Sequence, residues 1–274
     1  MSLALKRVGG VIGAEILGVD LARDTGAETI AAIRQALLEH LVVFFRDQSL
    51  TSAGFMAFAR QVGTPVEYPF VPGIEGFPEI TPVIKLPEHK VAFGGNWHSD
   101  TTYFAEPPMA TLLLARELPA FGGDTMFANQ YLAYETLSDG MKAILSGLRG
   151  VSRSDKAEAS RTREDRVGNA NANRTVMLQD HPVVRTHPET GRKALFVNLA
   201  HTAHFLGMTE DESLPILRFL WQHQTQPAFT CRFRWSPGAL ALWDNRCVQH
   251  HAINDYQRQK RLMHRITLAG DVPL

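Results

Sequence analysis

The apolar runs of this chain are short, and turn-forming residues bracket them. Leu41-Val42-Val43-Phe44-Phe45 stops at Arg46-Asp47, and the run from Ala110 to Ala115 follows Pro107-Pro108. Ala239-Leu240-Ala241-Leu242-Trp243 follows Ser236-Pro237-Gly238, and the run beginning at Arg261 follows a turn at Asn254-Asp255. Short apolar runs bounded by turns, one of them (Leu41–Phe45) rich in β-branched and aromatic residues, read as buried strands. Residues 11–21, 125–127 and 229–235 read as further strands. Residues 182–186 and 194–197 flank Pro188-Glu189-Thr190-Gly191, a hairpin signature.

Helical spacing is confined to four segments. Ile30, Ile33, Leu37 and Leu41 give one helix over 27–40. Thr51 or Ser52 caps a second, through Phe55, Phe58 and Val62. Residues 130–148 give a third, with Leu132, Leu137, Met141, Ile144 and Leu145 on one side. Thr209 with Glu212 is a capping box opening a fourth, through Leu214, Ile216, Leu217 and Leu220. The pattern predicts a mainly β fold with flanking helices (α+β), a sandwich or barrel with helices packed outside. There is no internal repeat and no linker, so residues 1–274 are expected to form one domain.

Lys+Arg and Asp+Glu both number 28, giving zero formal net charge and no basic surplus for nucleic acid. No apolar stretch approaches the ~18 residues of a membrane span, and the N-terminus lacks a signal-peptide pattern. Two cysteines without a CxxC spacing fit a reducing compartment, so a cytoplasmic location is expected. Residues 63–95 are rich in Pro and Gly and read mostly as a loop, with a strand at 80–84. Residues 152–173 are polar and read as a mobile surface segment, a lid or a plain loop.

The long loop runs into Asn96-Trp97-His98-Ser99-Asp100-Thr101-Thr102-Tyr103. In an extended segment His98 and Asp100 share one face and can reach one metal ion. A His-x-Asp pair is common by chance, so a third ligand is required. Trp243-Asp244-Asn245-Arg246-Cys247-Val248-Gln249-His250-His251 offers two histidines, of which strand parity lets one point inward. Two histidines and a carboxylate form the facial triad of non-haem Fe(II) oxygenases, with positions left open for a bidentate 2-oxo acid and O2. Arg261 and Arg265 lie four apart in the last strand, on one face, with Leu262, His264 and Ile266 on the other. An inward arginine marks an anionic ligand or a buried acid, and Thr125 offers a second hydrogen bond to such an anion.

These pieces resemble the taurine/2-oxoglutarate dioxygenase (TauD/TfdA) family of Fe(II) oxygenases. The resemblance extends through Glu117-Leu118-Pro119 with Gly122-Gly123-Asp124-Thr125, and His181-Pro182-Val183-Val184-Arg185-Thr186-His187-Pro188. It continues through Trp243-Asp244-Asn245-Arg246, Gln249-His250, Asn254-Asp255-Tyr256 and Met263-His264-Arg265. It implies a double-stranded β-helix (jelly-roll) core with iron at one mouth. It implies His98, Asp100 and His250 as iron ligands, and Thr125 and Arg261 on the distal carboxylate of 2-oxoglutarate. Arg265 and Thr101 fall where a substrate sulfonate is held. It also implies a homo-oligomer, a dimer or tetramer.

The pattern departs from the family where substrate is chosen. Tyr68, Val71 and Gly94 stand where taurine enzymes carry a histidine, a tyrosine and an asparagine. The expected substrate is therefore a larger or more apolar anion than taurine: an alkyl sulfonate, sulfate ester or aryloxyalkanoate. The expected reaction is hydroxylation coupled to decarboxylation of 2-oxoglutarate to succinate and CO2. A zinc hydrolase would explain the ligands but not Thr125 with Arg261. A non-catalytic jelly-roll binding protein is the third class.

Overall fold

The computed structural model describes residues 3–156 and 176–274. Its strands are β1 (Ala4–Arg7), β2 (Ala14–Leu17), β3 (Val42–Phe45), β4 (Pro65–Val66), β5 (Thr81–Lys85), β6 (Ala110–Glu117), β7 (Thr125–Asn129) and β8 (Arg149–Arg153). There follow β9 (Leu178–Pro182), β10 (Val184–Thr186), β11 (Lys193–Leu195), β12 (Thr202–Phe205), β13 (Thr230–Phe233), β14 (Leu240–Asp244), β15 (Val248–Ala252) and β16 (Arg261–Leu268). The helices are α1 (Ala27–His40), α2 (Ser52–Val62), α3 (Gln130–Glu135), α4 (Asp139–Leu145) and α5 (Glu210–His223). The architecture is mainly β with flanking helices.

One large sheet runs β1-β2-β3-β14-β6-β16-β4, with β5 also paired to β16. Its central strands are apolar on both faces, and side-chain alternation sorts them into two cores. Val43, Phe45, Leu112, Leu114, Leu240, Leu242, Ile266 and Leu268 face α1 and α2, meeting Ile33, Leu37, Phe55 and Phe58. Val42, Phe44, Leu113, Ala241, Trp243 and Met263 face the other way, onto Phe127, Phe233, Trp235 and Val248. Those partners belong to or adjoin a second sheet, β13-β7-β15. Phe44 and Phe233 stack across the gap at 3.9 Å between ring centres. Trimming a fully buried ring such as Phe58 to Ala would cost about 3–5 kcal/mol.

The caps follow the sequence. Thr51 accepts a hydrogen bond from the Gly54 amide at the start of α2, and Thr209 with Glu212 closes a complete capping box on α5. Residues 130–148 depart from expectation. They form two short helices instead of one, because the chain breaks at Thr136 and restarts where Ser138 caps Met141. The polar stretch at 152–173 is also trimmed at its start. Ser152 and Arg153 end β8, and Ser152 is buried with its hydroxyl taking a hydrogen bond from Thr102. The part of that stretch from 157 onward lies outside the described residues.

A smaller core joins α3, α4 and α5 to β11 and β12 through Ala133, Leu145, Leu195, Phe205, Leu217 and Leu220. Among the described residues no helix is long and apolar enough to cross a membrane.

Candidate active site

His98 and His250 are joined through the backbone. The His98 amide donates to the His250 carbonyl at 3.1 Å, and the His250 amide returns the bond at 2.8 Å. This isolated bridge sets them directly opposite one another, with ring centres 4.1 Å apart. The Asn96 carbonyl lies 2.7 Å from His98 Nδ1 and can only accept, so Nδ1 carries the proton. That leaves the Nε2 lone pair aimed inward, 3.7 Å from Asp100 Oδ1. His250 Nε2 lies 3.9 Å from the same oxygen. The ligand atoms of His98, Asp100 and His250 all fall within 4.8 Å of one another, and all three residues are buried.

Burial keeps His98 below the ordinary imidazole range, with Asp100 pulling the other way. Burial, joined by the neighbouring His98, pushes His250 well below it. Burial opposes the charge on Asp100, yet His250, Arg265, His98 and the Thr111 hydroxyl together hold its carboxyl below the usual carboxylate range. Two neutral imidazoles and one carboxylate form a donor set suited to a divalent transition metal. The Cε1–Nε2 edge of His98 is kept clear by Gly94, whose φ is +73°. A Cβ there would lie 3.1 Å from His98 Cε1. The turn at Gly94 is held by the Ala252 amide, which donates to its carbonyl at 3.0 Å. His251 takes the opposite face of β15 and stacks on Trp97 at 5.5 Å.

Arg261, Met263 and Arg265 occupy the inward face of β16, while His264 meets Arg116 on the other. Arg261 is 4 % exposed, and its Nε and Nη2 have no hydrogen-bond partner. Gly123, at φ +71°, lets its stem lie against the backbone: a Cβ would sit 3.3 Å from Arg261 Cδ and Nε. The Trp235 indole donates to Thr125 Oγ1 at 3.0 Å, so the Thr125 proton is available to an incoming acceptor. The Arg261 guanidinium lies 5.8 Å from the Trp235 ring, which links Thr125 and Arg261 through one indole.

Arg265 places Nη1 3.5 Å from Asp100 Oδ1 and leaves Nε and Nη2 without partners. Its guanidinium lies 4.4 Å from the Tyr68 ring centre and 5.3 Å from that of Phe93. Tyr68, Phe70 and Tyr103 form a buried aromatic cluster, with Val71, Phe93, Phe104 and Met177 packed against it. Thr101 turns the chain beside Asp100 at φ +43°, and its buried hydroxyl has no partner. Gly94 thus lies against His98, Thr101 follows Asp100, Arg265 joins Asp100 to the Tyr68 ring, and Val71 packs on the aromatic cluster.

Several neighbours were not read from the sequence. Thr111 is buried in β6 and donates to Asp100 Oδ2 at 2.6 Å, while Asn245 donates to Thr111 at 2.8 Å. The polar Thr in Ala110-Thr111-Leu112-Leu113-Leu114 was the available signal. His201 stands edge-on to Tyr103 and His98, with ring centres 5.0 and 6.0 Å away.

A second cluster, His187, Asp244 and Cys247, also has metal-ligand spacing. Its donors are already engaged. Arg246 holds both Asp244 oxygens at 2.8 and 2.7 Å, and His187 Nδ1 accepts from the amides of Glu189 and Thr190. His187 therefore donates through Nε2 to Asp244, and burial pushes the Cys247 thiol up. This is a structural latch.

The chain is similar to known proteins along its whole length. The chain is 36% identical to an α-ketoglutarate-dependent sulfate ester dioxygenase of Pseudomonas putida, across 100% of this chain and 92% of the relative. It is 31% identical to the α-ketoglutarate-dependent 2,4-dichlorophenoxyacetate dioxygenase of Cupriavidus pinatubonensis, across 99% of each. A crystal structure of a taurine dioxygenase from Burkholderia xenovorans superposes with a TM-score of 0.84 at 38% identity, covering 100% of this chain and 91% of the other. The structure of AAD-2 in complex with Mn(II) and N-oxalylglycine superposes at 0.83 with 27% identity, covering 100% and 99%. Residues 4–267 match the family model for taurine catabolism dioxygenases, and the chain belongs to that TauD, TfdA family.

Proposed function

We propose that the chain is an Fe(II)- and 2-oxoglutarate-dependent dioxygenase that hydroxylates a small organic anion with an apolar body. One observation carries the reading. Three converging ligand atoms lie beside β16, whose inward face carries two buried arginines with unpartnered nitrogens. Buried cationic donors without partners are costly unless an anion completes them.

In this reading His98, Asp100 and His250 hold the metal, and Thr125 and Arg261 hold the distal carboxylate of 2-oxoglutarate. Bound Fe(II) would supply the redox chemistry that couples O2 and decarboxylation of 2-oxoglutarate, to succinate and CO2, with oxidation of a substrate C–H. That AAD-2 binds Mn(II) and N-oxalylglycine, a diacid of the same length with an oxalyl head, supports this placement. The chain's own task is positioning. Arg261 and Thr125 fix one end of the co-substrate, and the buried aromatic cluster excludes water from the other side of the site.

Arg265 and Thr101 receive the anionic group of the substrate. Its body lies against Tyr68, Val71 and Phe93. Val71 and Gly94 offer no side-chain acceptor for an amine, which disfavours taurine. Relatives named for sulfate esters and for 2,4-dichlorophenoxyacetate bracket the class: an alkyl sulfate ester, alkyl sulfonate or aryloxyalkanoate. Hydroxylation at the carbon bonded to the heteroatom gives a product that collapses to a carbonyl compound and releases sulfate, sulfite or a phenol.

We further read the large sheet and β13-β7-β15 as the two walls of a double-stranded β-helix, within one domain spanning 1–274. The test of function is a screen of sulfate esters, sulfonates and aryloxyalkanoates for substrate-dependent succinate formation. At least one apolar anion should exceed taurine by about tenfold or more in kcat/KM. Equal turnover of taurine would overturn the substrate reading.

A further inference from the structure

Lys85 is 1 % exposed and sits directly opposite Arg261 in the β5–β16 register. Directly opposed residues of an antiparallel pair share a face, with Cβ atoms roughly 5 Å apart. The face is the inward one: Val83 opposes Met263, and both pack in the core between the two sheets. A second link joins the two cations. Lys85 Nζ donates to the Tyr256 carbonyl at 3.3 Å and lies 4.5 Å from the centre of the Tyr256 ring. Burial disfavours the charge on Arg261, and Tyr256 and then Asp124 act to restore it. Tyr256 is itself 2 % exposed.

Two like charges opposed across a strand pair repel, and burial strengthens the repulsion. Arg261 also keeps Nε and Nη2 without partners in this same space. An anion lying between them would relieve both costs at once. A monocarboxylate 2-oxo acid would bring no charge there, whereas a diacid would.

We propose that Lys85 is a second cation of the pocket for the distal carboxylate, opposite Arg261, and that the pair makes the site selective for a dicarboxylic 2-oxo acid. The inference rests on the co-substrate reading above and adds to it a residue on β5, a strand that contributes no metal ligand.

The experiment measures binding of 2-oxoglutarate and of 2-oxobutyrate to the anaerobic Fe(II) protein, for the unsubstituted chain, Lys85→Met and Lys85→Gln. Both variants should weaken 2-oxoglutarate by about tenfold or more and leave 2-oxobutyrate within about twofold, narrowing the preference for the diacid. Equal losses for both acids would mean a purely structural lysine, and unchanged 2-oxoglutarate binding would remove Lys85 from the pocket. Either result overturns the proposal. Should neither variant fold, the unsubstituted protein loaded with Zn(II) and carrying 15Nζ-lysine decides. A buried lysine signal should shift with 2-oxoglutarate and not with 2-oxobutyrate, and no such difference would overturn the proposal. If the unsubstituted protein binds no 2-oxoglutarate at all, it is the co-substrate reading that fails.

Discussion

Thr111 donates its hydroxyl proton to Asp100 Oδ2 at 2.6 Å, and the direction of that bond is forced. The Asn245 amide donates to the same Thr111 oxygen at 2.8 Å, so the threonine proton has to point at the carboxylate. Asn245 Oδ1 is fixed in turn by the Trp243 indole at 2.9 Å. The chain Trp243–Asn245–Thr111–Asp100 therefore occupies Oδ2 and turns Oδ1 toward His98 and His250. Thr111→Val keeps the shape of the side chain and removes the donor. Fe(II) affinity should fall about 10- to 100-fold with an unchanged far-UV spectrum. Unaltered affinity would show that Asp100 needs no such support.

Arg261→Ala removes the guanidinium whose Nε and Nη2 lack partners inside the protein. The 2-oxoglutarate concentration needed for half-maximal succinate formation should rise at least about thirtyfold, the effect of losing ~2 kcal/mol of charged contact. Fe(II) binding should change little. An unchanged 2-oxoglutarate requirement would take Arg261 out of the pocket.

Arg265→Met separates substrate from co-substrate. Its aromatic neighbours Tyr68 and Phe93 can pack on the thioether, so the fold should persist. KM for the anionic substrate should rise by roughly a hundredfold while the 2-oxoglutarate Kd stays within about twofold. Because Arg265 lies 3.5 Å from Asp100, the Fe(II) Kd is measured alongside. If substrate KM stays level, the anion is held elsewhere.

His264 gives a pH dependence outside the site. Burial, then the Arg116 guanidinium that donates to its Nδ1, lower it to about 4. Well above pH ~6.5 the imidazole is neutral whether folded or unfolded, and pH has no leverage through it. As pH falls from there toward 4, the unfolded chain takes up the proton and the folded chain does not. Stability is therefore lost across that window. The difference in urea midpoint between pH 7 and pH 5 should be smaller in His264→Gln than in the unsubstituted protein. An equal difference would place the sensitivity in other groups.

Much of this was legible in the sequence, for definite physical reasons. The strands β3, β6, β14 and β16 are continuous or alternating apolar runs, α1 and α2 carry the spacing of one buried stripe, and α2 has a readable cap. Strand parity put His250 and His251 on opposite faces, and Arg261 and Arg265 opposite His264, because the side-chain period is two, and the family resemblance then pointed to His250. The helix over 130–148 was misread since its apolar spacing continues through Thr136 and Ser138, whose local hydrogen bonds end one helix and start another. Asn245 and Trp235 were missed because each acts through a partner far away in the chain, and Thr111 because its polar side chain sits within an apolar strand. Lys85 was missed because its meaning comes from the residue opposite, and register across β5 and β16 is a property of the folded sheet.

The most telling measurement is an anaerobic titration of the Fe(II)-loaded protein with 2-oxoglutarate, followed in the visible. A metal held by His98, Asp100 and His250 with room for a bidentate 2-oxo acid predicts a weak charge-transfer band that saturates at about one equivalent per chain. The band should vanish in Asp100→Ala. No band in the unsubstituted protein, or a band that survives Asp100→Ala, would contradict it.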